Sequence, residues 1–427
     1  MSSITASGEY DKDELVPPHW LNNTFFEQVL KPPKSCAKIQ IANITIQPAT
    51  KKGEHYASVM FRVNVAYTLA NSDCDAAQSL HYKSLIVKAL PVLEGEKQLL
   101  LQDSKLFETE IGMYTEVVPQ LVEELRLAGE VIRFGASCLH HSLTPLKVLV
   151  FEDLTQVGYE IVRGRTLTLE EIKMGYRKLA KWHAASYKLA KKQPAIFDKF
   201  RHSFMTIPYI VNSSFIASGI SNFITLLDSL PTLKAFKPYF ELLQPDWASK
   251  CRATYTEYFT NRHSENYYGI CHGDFLNNNL MFSRNDDTGA LSDVLLVDYQ
   301  LSYMGPLVND LIYAFYMIYT AEQRARHHQE LLKYYFKQFS ATLNKLNFRS
   351  DSITFERLQE QLKRQKILAL FLLLSFMPIR YALRAGLLDR DYMMATDEER
   401  KALYYDKNYI AELHNILPMY LNLGYLQ

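Results

Sequence analysis

Cysteine, net charge, glycine-rich loops and long apolar runs are all scarce in this chain, and each scarcity removes a class of protein. Five cysteines are spread over 427 residues, at 36, 74, 138, 251 and 271, with no metal-ligand spacing. That excludes a zinc-finger type site and a dense disulfide framework. Their odd number, with a polar and acidic start over residues 1–15, leads to the expectation of reduced thiols and a cytoplasmic location. Charge is balanced at 47 basic against 46 acidic residues, net +1, so electrostatics point to neither nucleic acid nor a membrane surface. The longest apolar stretch, 367–377, is interrupted by Ser375 and stopped by Pro378. It is shorter than the roughly 20 residues that span a bilayer, so a buried helix is expected and no membrane span. No internal repeat or low-complexity block occurs, and no obligate protein partner is inferred. What remains, 48% hydrophobic and 22% charged residues, is the composition of an ordinary globule with room for two lobes.

The most informative segment that is present is Cys271-His272-Gly273-Asp274-Phe275-Leu276-Asn277-Asn278-Asn279-Leu280, followed by Leu295-Leu296-Val297-Asp298-Tyr299. An Asp, an Asn five residues later and a second Asp ending an apolar run is the order in which kinases present a catalytic base and two magnesium ligands. Phosphoryl transfer needs positioning, a proton acceptor for the attacking hydroxyl and cations on the phosphates. Asp274 suits the acceptor. Asn279 and Asp298 offer the oxygen ligands that magnesium prefers. Residues 280–282 and 294–297 read as short strands joined by a polar turn over 283–292, a hairpin that returns Asp298 towards Asn279. His272 is expected to hold the loop by hydrogen bonds and not to transfer protons.

A phosphate clamp is expected upstream. Ser84-Leu85-Ile86-Val87-Lys88-Ala89-Leu90-Pro91 reads as a buried strand, and a lone Lys in such a strand requires a partner. The helix expected over 105–118 carries Glu108, Glu110 and Glu116. Glu110 borders its apolar face and is the preferred partner, with Glu108 as the alternative. The strand ending at Phe151 runs into Glu152-Asp153-Leu154, which suits a hinge whose backbone at Glu152 and Leu154 pairs with adenine. The phosphate-covering loop is thin in glycine. Lys51-Lys52-Gly53-Glu54-His55-Tyr56-Ala57-Ser58 has one, where protein kinases often show G-x-G-x-x-G. Ser58 and its amide are candidates to meet a phosphate, an ordinary hairpin turn being the alternative. That lack, and the lack of Ala-Pro-Glu after Asp298, argue against a protein kinase.

Alternating patterns over 39–46 and 58–67, with the Lys88 strand and those near 131–134 and 148, predict a five-stranded antiparallel sheet. The fold class expected is α+β: a two-lobed protein-kinase-like fold, with that sheet and one helix in the N-lobe and a mostly helical C-lobe. The expected divisions are a flexible N-terminus over 1–16, an N-lobe over 17–154 and a C-lobe over 155–427. In the C-lobe, Gly219 and Pro231 read as breaks between helices, His183 as a hydrogen-bonded core residue, and Asp310 as a brace for the catalytic loop. Candidates to line an acceptor pocket are Tyr299, Tyr303, Tyr313, Tyr316, Phe371, Phe376 and Tyr381.

The His-Gly-Asp…Asn and Val-Asp-Tyr-Gln pair resembles the aminoglycoside and choline kinase-like phosphotransferases. Gly53…Tyr56-Ala57-Ser58…Arg62, Phe107…Glu110…Tyr114, Phe151-Glu152-Asp153-Leu154 and His183-Ala184-Ala185-Ser186 narrow the resemblance to the ecdysteroid kinase-like family. One departure stands at His55, where that family commonly has Asn. The resemblance implies ATP and magnesium as cofactors and an alcohol group on a small molecule as acceptor, an ecdysteroid or another lipophilic alcohol. It implies Lys88 and Glu110 as clamp, Asp274 as base, and Asn279 and Asp298 as metal ligands. The alternatives are a choline- or aminoglycoside-type kinase, which predicts an acidic acceptor pocket, and a non-catalytic pseudokinase that binds a hormone or partner.

Overall fold

The computed structural model describes residues 15–31, 38–50, 58–70, 79–91, 98, 100–101, 103–350, 353–386 and 396–426. Most of the expected flexible N-terminus, and residues 51–57 of the candidate phosphate loop, lie outside the described residues.

Five antiparallel strands form the N-lobe sheet: β1 (Lys38–Pro48), β2 (Val59–Ala70), β3 (Leu80–Ala89), β4 (Cys138–Ser142) and β5 (Val148–Glu152), in the order β1-β2-β3-β5-β4. Period-two alternation divides their residues between two faces. Val59, Phe61 and Val63 lie beside Ala89, Val87 and Leu85, and this face packs against Phe26 of helix Asn23–Leu30. Met60 pairs with Lys88 and Arg62 with Ile86, so Lys88 points to the opposite face. The sheet has five strands as expected, but residues 131–134 are not one of them. Val131 is 98% exposed, and the Phe134 carbonyl accepts from Leu296 N of the C-lobe, 2.7 Å away. Cys138–Ser142 takes the edge position instead, its alternation masked by two adjacent histidines.

Behind the sheet, Leu106–Gly112, a π turn at Met113–Val117 and Val118–Leu127 form one continuous helix. In the C-lobe, Leu169–Lys192 begins at a capping box in which Thr168 and Glu171 satisfy each other's backbone amides. It packs against Ala321–Lys345, and Trp182 Nε1 donates to the Ile270 carbonyl at 2.7 Å. Two small antiparallel pairings build the loop-bearing region. β6 (Tyr159–Ile161), β8 (Leu280–Arg284) and β9 (Leu291–Leu296) form one, and β7 (Tyr268–Cys271) with β10 (Tyr303–Pro306) the other.

Two helix breaks expected from sequence do not occur. Gly219 lies inside helix Phe215–Ser229, where its missing side chain admits Ser375: an added Cβ would stand 2.7 Å from Ser375 Oγ. Pro378 does not stop the apolar helix. The π turn Leu372–Phe376 precedes it, and Tyr404 Oη donates to the Leu374 carbonyl (2.5 Å) that the proline cannot serve. The apolar stretch therefore runs over 19 residues, Lys366–Arg384, enough by length and composition to cross a bilayer. Here 78% of its apolar window is buried inside the protein, as a core helix.

Candidate active site

β7 delivers the chain to His272 and Gly273, where it turns sharply. Gly273 has φ +82°, and a Cβ there would lie 2.0 Å from the Leu301 carbonyl oxygen. Gly273→Ala is expected to cost about 1–3 kcal/mol from conformation alone, before that overlap is relieved, and denaturant unfolding measures it. The turn is held by Asp310, which sits in the first turn of helix Val308–Met317 and is buried. Its carboxylate accepts from His272 N (2.6 Å) and Gly273 N (3.0 Å), and His183 Nε2 stands 3.0 Å from it. His183 also meets Tyr335 Oη at 2.7 Å. His272 Nε2 donates to the Val297 carbonyl at 3.1 Å, joining the loop to the end of the β8–β9 hairpin. Burial holds the His272 imidazole below its usual pKa against the pull of Asp310 and Asp298.

Asp274 comes next, half-buried at the floor of a cleft. Tyr313 Oη donates to its Oδ1 (2.6 Å) and Asn279 Nδ2 to its Oδ2 (2.8 Å) and main-chain oxygen (2.9 Å). Burial pushes the Asp274 carboxyl up, to about 6, with Asp298 adding to it and the Tyr313 and Asn279 donors opposing. The hairpin brings Leu296 opposite Leu280, and Val297 N donates to the Asn279 carbonyl (3.1 Å), so Asp298 arrives beside Asn279. Asp298 is in the left-handed region at φ 66°, a conformation that a side chain rarely adopts without a constraint.

Lys88 joins the two lobes. Its ammonium lies 2.6 Å from Glu110 Oε2 and 2.7 Å from Asp298 Oδ1, and it is buried. Burial opposes its charge, but the Asp298 and Glu110 carboxylates prevail and raise its pKa. Glu110 is raised to about 7, first by burial and then by Asp298, against the attraction of Lys88. Glu108, the alternative partner, reaches Lys105 and Lys147 instead.

Two cavities meet at this point. One, of about 1000 Å³, lies under the sheet and is walled by Met60, Ile86, Tyr114, Phe151 and Leu154, with Lys88 and Asp298 at its end. The other, of about 700 Å³, holds Asp274 and opens into the C-lobe. Asn278, Asn279 and Asp298 line both.

The model of the ecdysteroid kinase-like family matches residues 52–348, the greater part of the chain. The chain belongs to that family. Membership makes it one of the small-molecule phosphotransferases. No curated protein matches the sequence. Similar solved structures include a microcompartment-associated aminopropanol kinase (12% identity, 95% of this chain and 99% of that one, TM-score 0.39). An amicoumacin kinase in complex with AMP-PNP, Ca2+ and Ami is another (14%, 82% and 85%, TM-score 0.38). A spectinomycin phosphotransferase with ADP and spectinomycin is a third (11%, 88% and 92%, TM-score 0.34).

The donor set of this ecdysteroid kinase-like chain fits magnesium on a nucleotide. Among the described residues no three His, Cys, Asp or Glu side chains form a metal cage. Asn279 spends its amide nitrogen on Asp274, which leaves its carbonyl oxygen for a cation, with the Asp298 carboxylate alongside. One amide and one carboxylate suit a hard ion that takes its remaining ligands from phosphates and water.

The hinge residues are divided between roles. Leu154 is buried and borders the first cavity. The Glu152 side chain turns away to Arg133 and Ser137 N. Ser58 is buried with Oγ unpartnered, and Ala49 and Thr50 line the cavity in its place. Sequence reasoning passed over Asp153, which accepts from Arg62 Nε (2.7 Å), Ser84 Oγ (2.8 Å) and Thr155 N (3.1 Å) and so ties the connector to β2 and β3. Its signal was an acid directly after a buried strand. Of the seven aromatic pocket candidates, only Tyr313 and Phe376 line the second cavity. Tyr299, Tyr303, Tyr316 and Phe371 are core, and Tyr381 bonds Glu412.

Proposed function

We propose that this protein transfers the γ-phosphoryl group of ATP, with magnesium, to a hydroxyl of a lipophilic small molecule, a steroid or a similar alcohol. The observation that carries this is the meeting of the two cavities at Asn279 and Asp298, with Lys88 on one side and Asp274 on the other. The sheet cavity suits the nucleotide: apolar walls for the base, the Glu152–Leu154 connector at its edge and Lys88 for the phosphates. The second cavity suits the acceptor. Magnesium bound at Asn279 and Asp298 would supply positive charge to the β- and γ-phosphate oxygens.

Asp274 takes the proton of the acceptor hydroxyl as the oxygen attacks the γ-phosphorus in line. The new O–P bond forms, the bond to the β,γ-bridging oxygen breaks, and ADP leaves with that electron pair. Tyr313 and Asn279 fix both carboxylate oxygens, so Asp274 meets the hydroxyl in one orientation. A phosphate added to a lipophilic alcohol makes it polar, the chemistry of hormone inactivation or detoxification. Arg380 and Arg384 line the second cavity, which disfavours a choline- or aminoglycoside-type acceptor. The complete set Lys88, Asp274, Asn279 and Asp298 disfavours a pseudokinase.

The test is incubation with ATP, magnesium and a panel of sterols, amino alcohols and plant alcohols, with mass spectrometry for products heavier by one phosphoryl group. Nucleotide binding without any such product from an alcohol would sink the proposal. Because a base acts only when ionised, kcat/KM is expected to fall about tenfold per pH unit below about 6, the value at which Asp274 stands. In Tyr313→Phe the carboxylate loses a donor to its charged form, so its pKa rises and this acid limb moves to higher pH. A pH–rate profile in which both proteins share one limb would remove Asp274 from the role.

A further inference from the structure

The second cavity carries a charge pattern that phosphoryl transfer does not require. One end holds Asp274 and Asp298, and Phe204, Ile207, Met317 and Phe376 supply apolar wall between. From Phe376, whose ring meets that of Tyr313, the donor to Asp274, the lining turns cationic one and two helical turns further on. Phe376, Arg380 and Arg384 all line the cavity, and their spacing of four puts them on one helical face. Arg380 is 6% exposed. Its guanidinium donates to the carbonyls of Tyr316, Ile318 (3.1 Å) and Tyr319 (2.7 Å), at the C-terminal end of helix Val308–Met317. That helix end carries about half a negative charge, less than the one cation it faces.

Among the described residues no carboxylate pairs with Arg380 or Arg384. Glu412, the acid that bears on both, is already engaged. Arg324 holds its two oxygens, Nη2 standing 2.6 Å from Oε2, and the Tyr381 hydroxyl donates to Oε2. Three guanidiniums thus stand around one carboxylate, and Arg324 alone is paired with it. Burial first, and then Arg384 and Arg324 nearby, hold Arg380 well below its usual pKa. An unpaired buried cation is costly, and like charges four residues apart on a helix repel. Arg165, which also borders the cavity, is by contrast neutralised by Glu171 at 2.5 and 2.7 Å.

We propose that the acceptor is a lipophilic alcohol bearing an anionic group, a carboxylate or sulfate, remote from its reacting hydroxyl. Arg380 and Arg384 hold the anion, the apolar wall holds the body, and the hydroxyl reaches Asp274. This rests on the role of Asp274 as the base in phosphoryl transfer and adds the acceptor's charge to it.

The test uses the full chain and two scaffolds, a 3-hydroxysteroid and a linear long-chain alcohol. Each is supplied with a remote carboxylate, as the methyl ester of that acid, and as the corresponding amine. Affinity is measured by calorimetry, and phosphoryl transfer to each is measured separately. On at least one scaffold the acid is expected to bind about tenfold to a hundredfold tighter than the ester, with the amine weakest. Arg384→Gln, at an exposed position that does not threaten the fold, is expected to cut that advantage by about tenfold. Equal affinity of acid and ester, a preference for the amine, an advantage untouched by Arg384→Gln, or no binding on either scaffold overturns the inference. Phosphoryl transfer to the esters without preference for the acids would leave the kinase function standing while the inference falls. Tight binding of the acids with no transfer to any alcohol would keep the anion site and remove the reaction.

Discussion

Asp274→Asn is expected to lower turnover by about 10²- to 10⁴-fold, the range lost when a positioned general base is removed. The substitution keeps shape and deletes basicity. Lys88, Glu110, Asn279 and Asp298 are untouched, so nucleotide affinity is expected to stay close to that of the native chain, as calorimetry with ATP and magnesium measures. A structural cost accompanies it. Tyr313 and Asn279 both donate to Asp274, and an amide can accept with only one of its two heads. One donor is left unsatisfied, worth about 1–3 kcal/mol of stability. The pH–rate profile separates the two effects, because a merely destabilised enzyme keeps the acid limb near 6 and an enzyme without its base loses it. Turnover within a few-fold of native would remove Asp274 from the chemistry.

The second large effect falls on the fold. Lys88→Met leaves Glu110 and Asp298 facing each other without the ammonium that stands 2.6 and 2.7 Å from them. Removing one partner of a buried ion pair costs about 3–5 kcal/mol, because the charge left behind stays desolvated. The sign with pH is set by Glu110. Its pKa is already lifted to about 7 by burial and Asp298 while the lysine is present, and without the lysine it rises further. A carboxyl with a raised folded-state pKa binds more protons folded than unfolded, so stability falls as pH rises. Both proteins lose stability to Glu110 alike up to about 7, so the deficit of the variant against the native chain is expected to widen over the range above about 7, and to shrink again in the double variant Lys88→Met/Glu110→Gln. Urea unfolding on the acid side of that range and on its alkaline side reads both. A deficit that does not change with pH would mean that the two carboxylates are not ionised together.

Lys88, Glu110 and the loop from Asp274 to Asp298 were legible in the sequence because each is set by local geometry. A strand of period two fixes which face Lys88 takes, and one hairpin fixes the approach of Asp298. Glu110 was separable from Glu108 because it flanks the apolar stripe. Strand Cys138–Ser142 was not legible, since two histidines hide its alternation and Val131-Ile132 offers a more apolar decoy. Five of the seven aromatic candidates failed for a related reason. A helix such as Val308–Met317 is buried along nearly its whole length, so no pattern tells which ring meets a cavity and which meets the core. Tyr313 on Asp274, Asp153 on Arg62 and the arginines 380 and 384 depend on contacts between distant segments, which spacing along the chain does not encode.

The helix over 106–127 has a further consequence. Its front half presents Glu110 to Lys88 and packs on the Tyr299–Leu301 turn, while Tyr114 rests against both Phe151 and Tyr299, ring centres 4.8 Å apart in each case. After the π turn the rear half packs on helix Leu169–Lys192, where Glu124 meets Lys188 at 2.7 Å and Lys192 at 3.3 Å. Many regulated protein kinases switch off by moving this helix and withdrawing its glutamate. Here the helix is fastened to the other lobe at both ends, and swinging it outward would break both attachments at once. Withdrawal of Glu110 by that route is therefore opposed at two places, the Tyr299–Leu301 turn and the lysines of helix Leu169–Lys192.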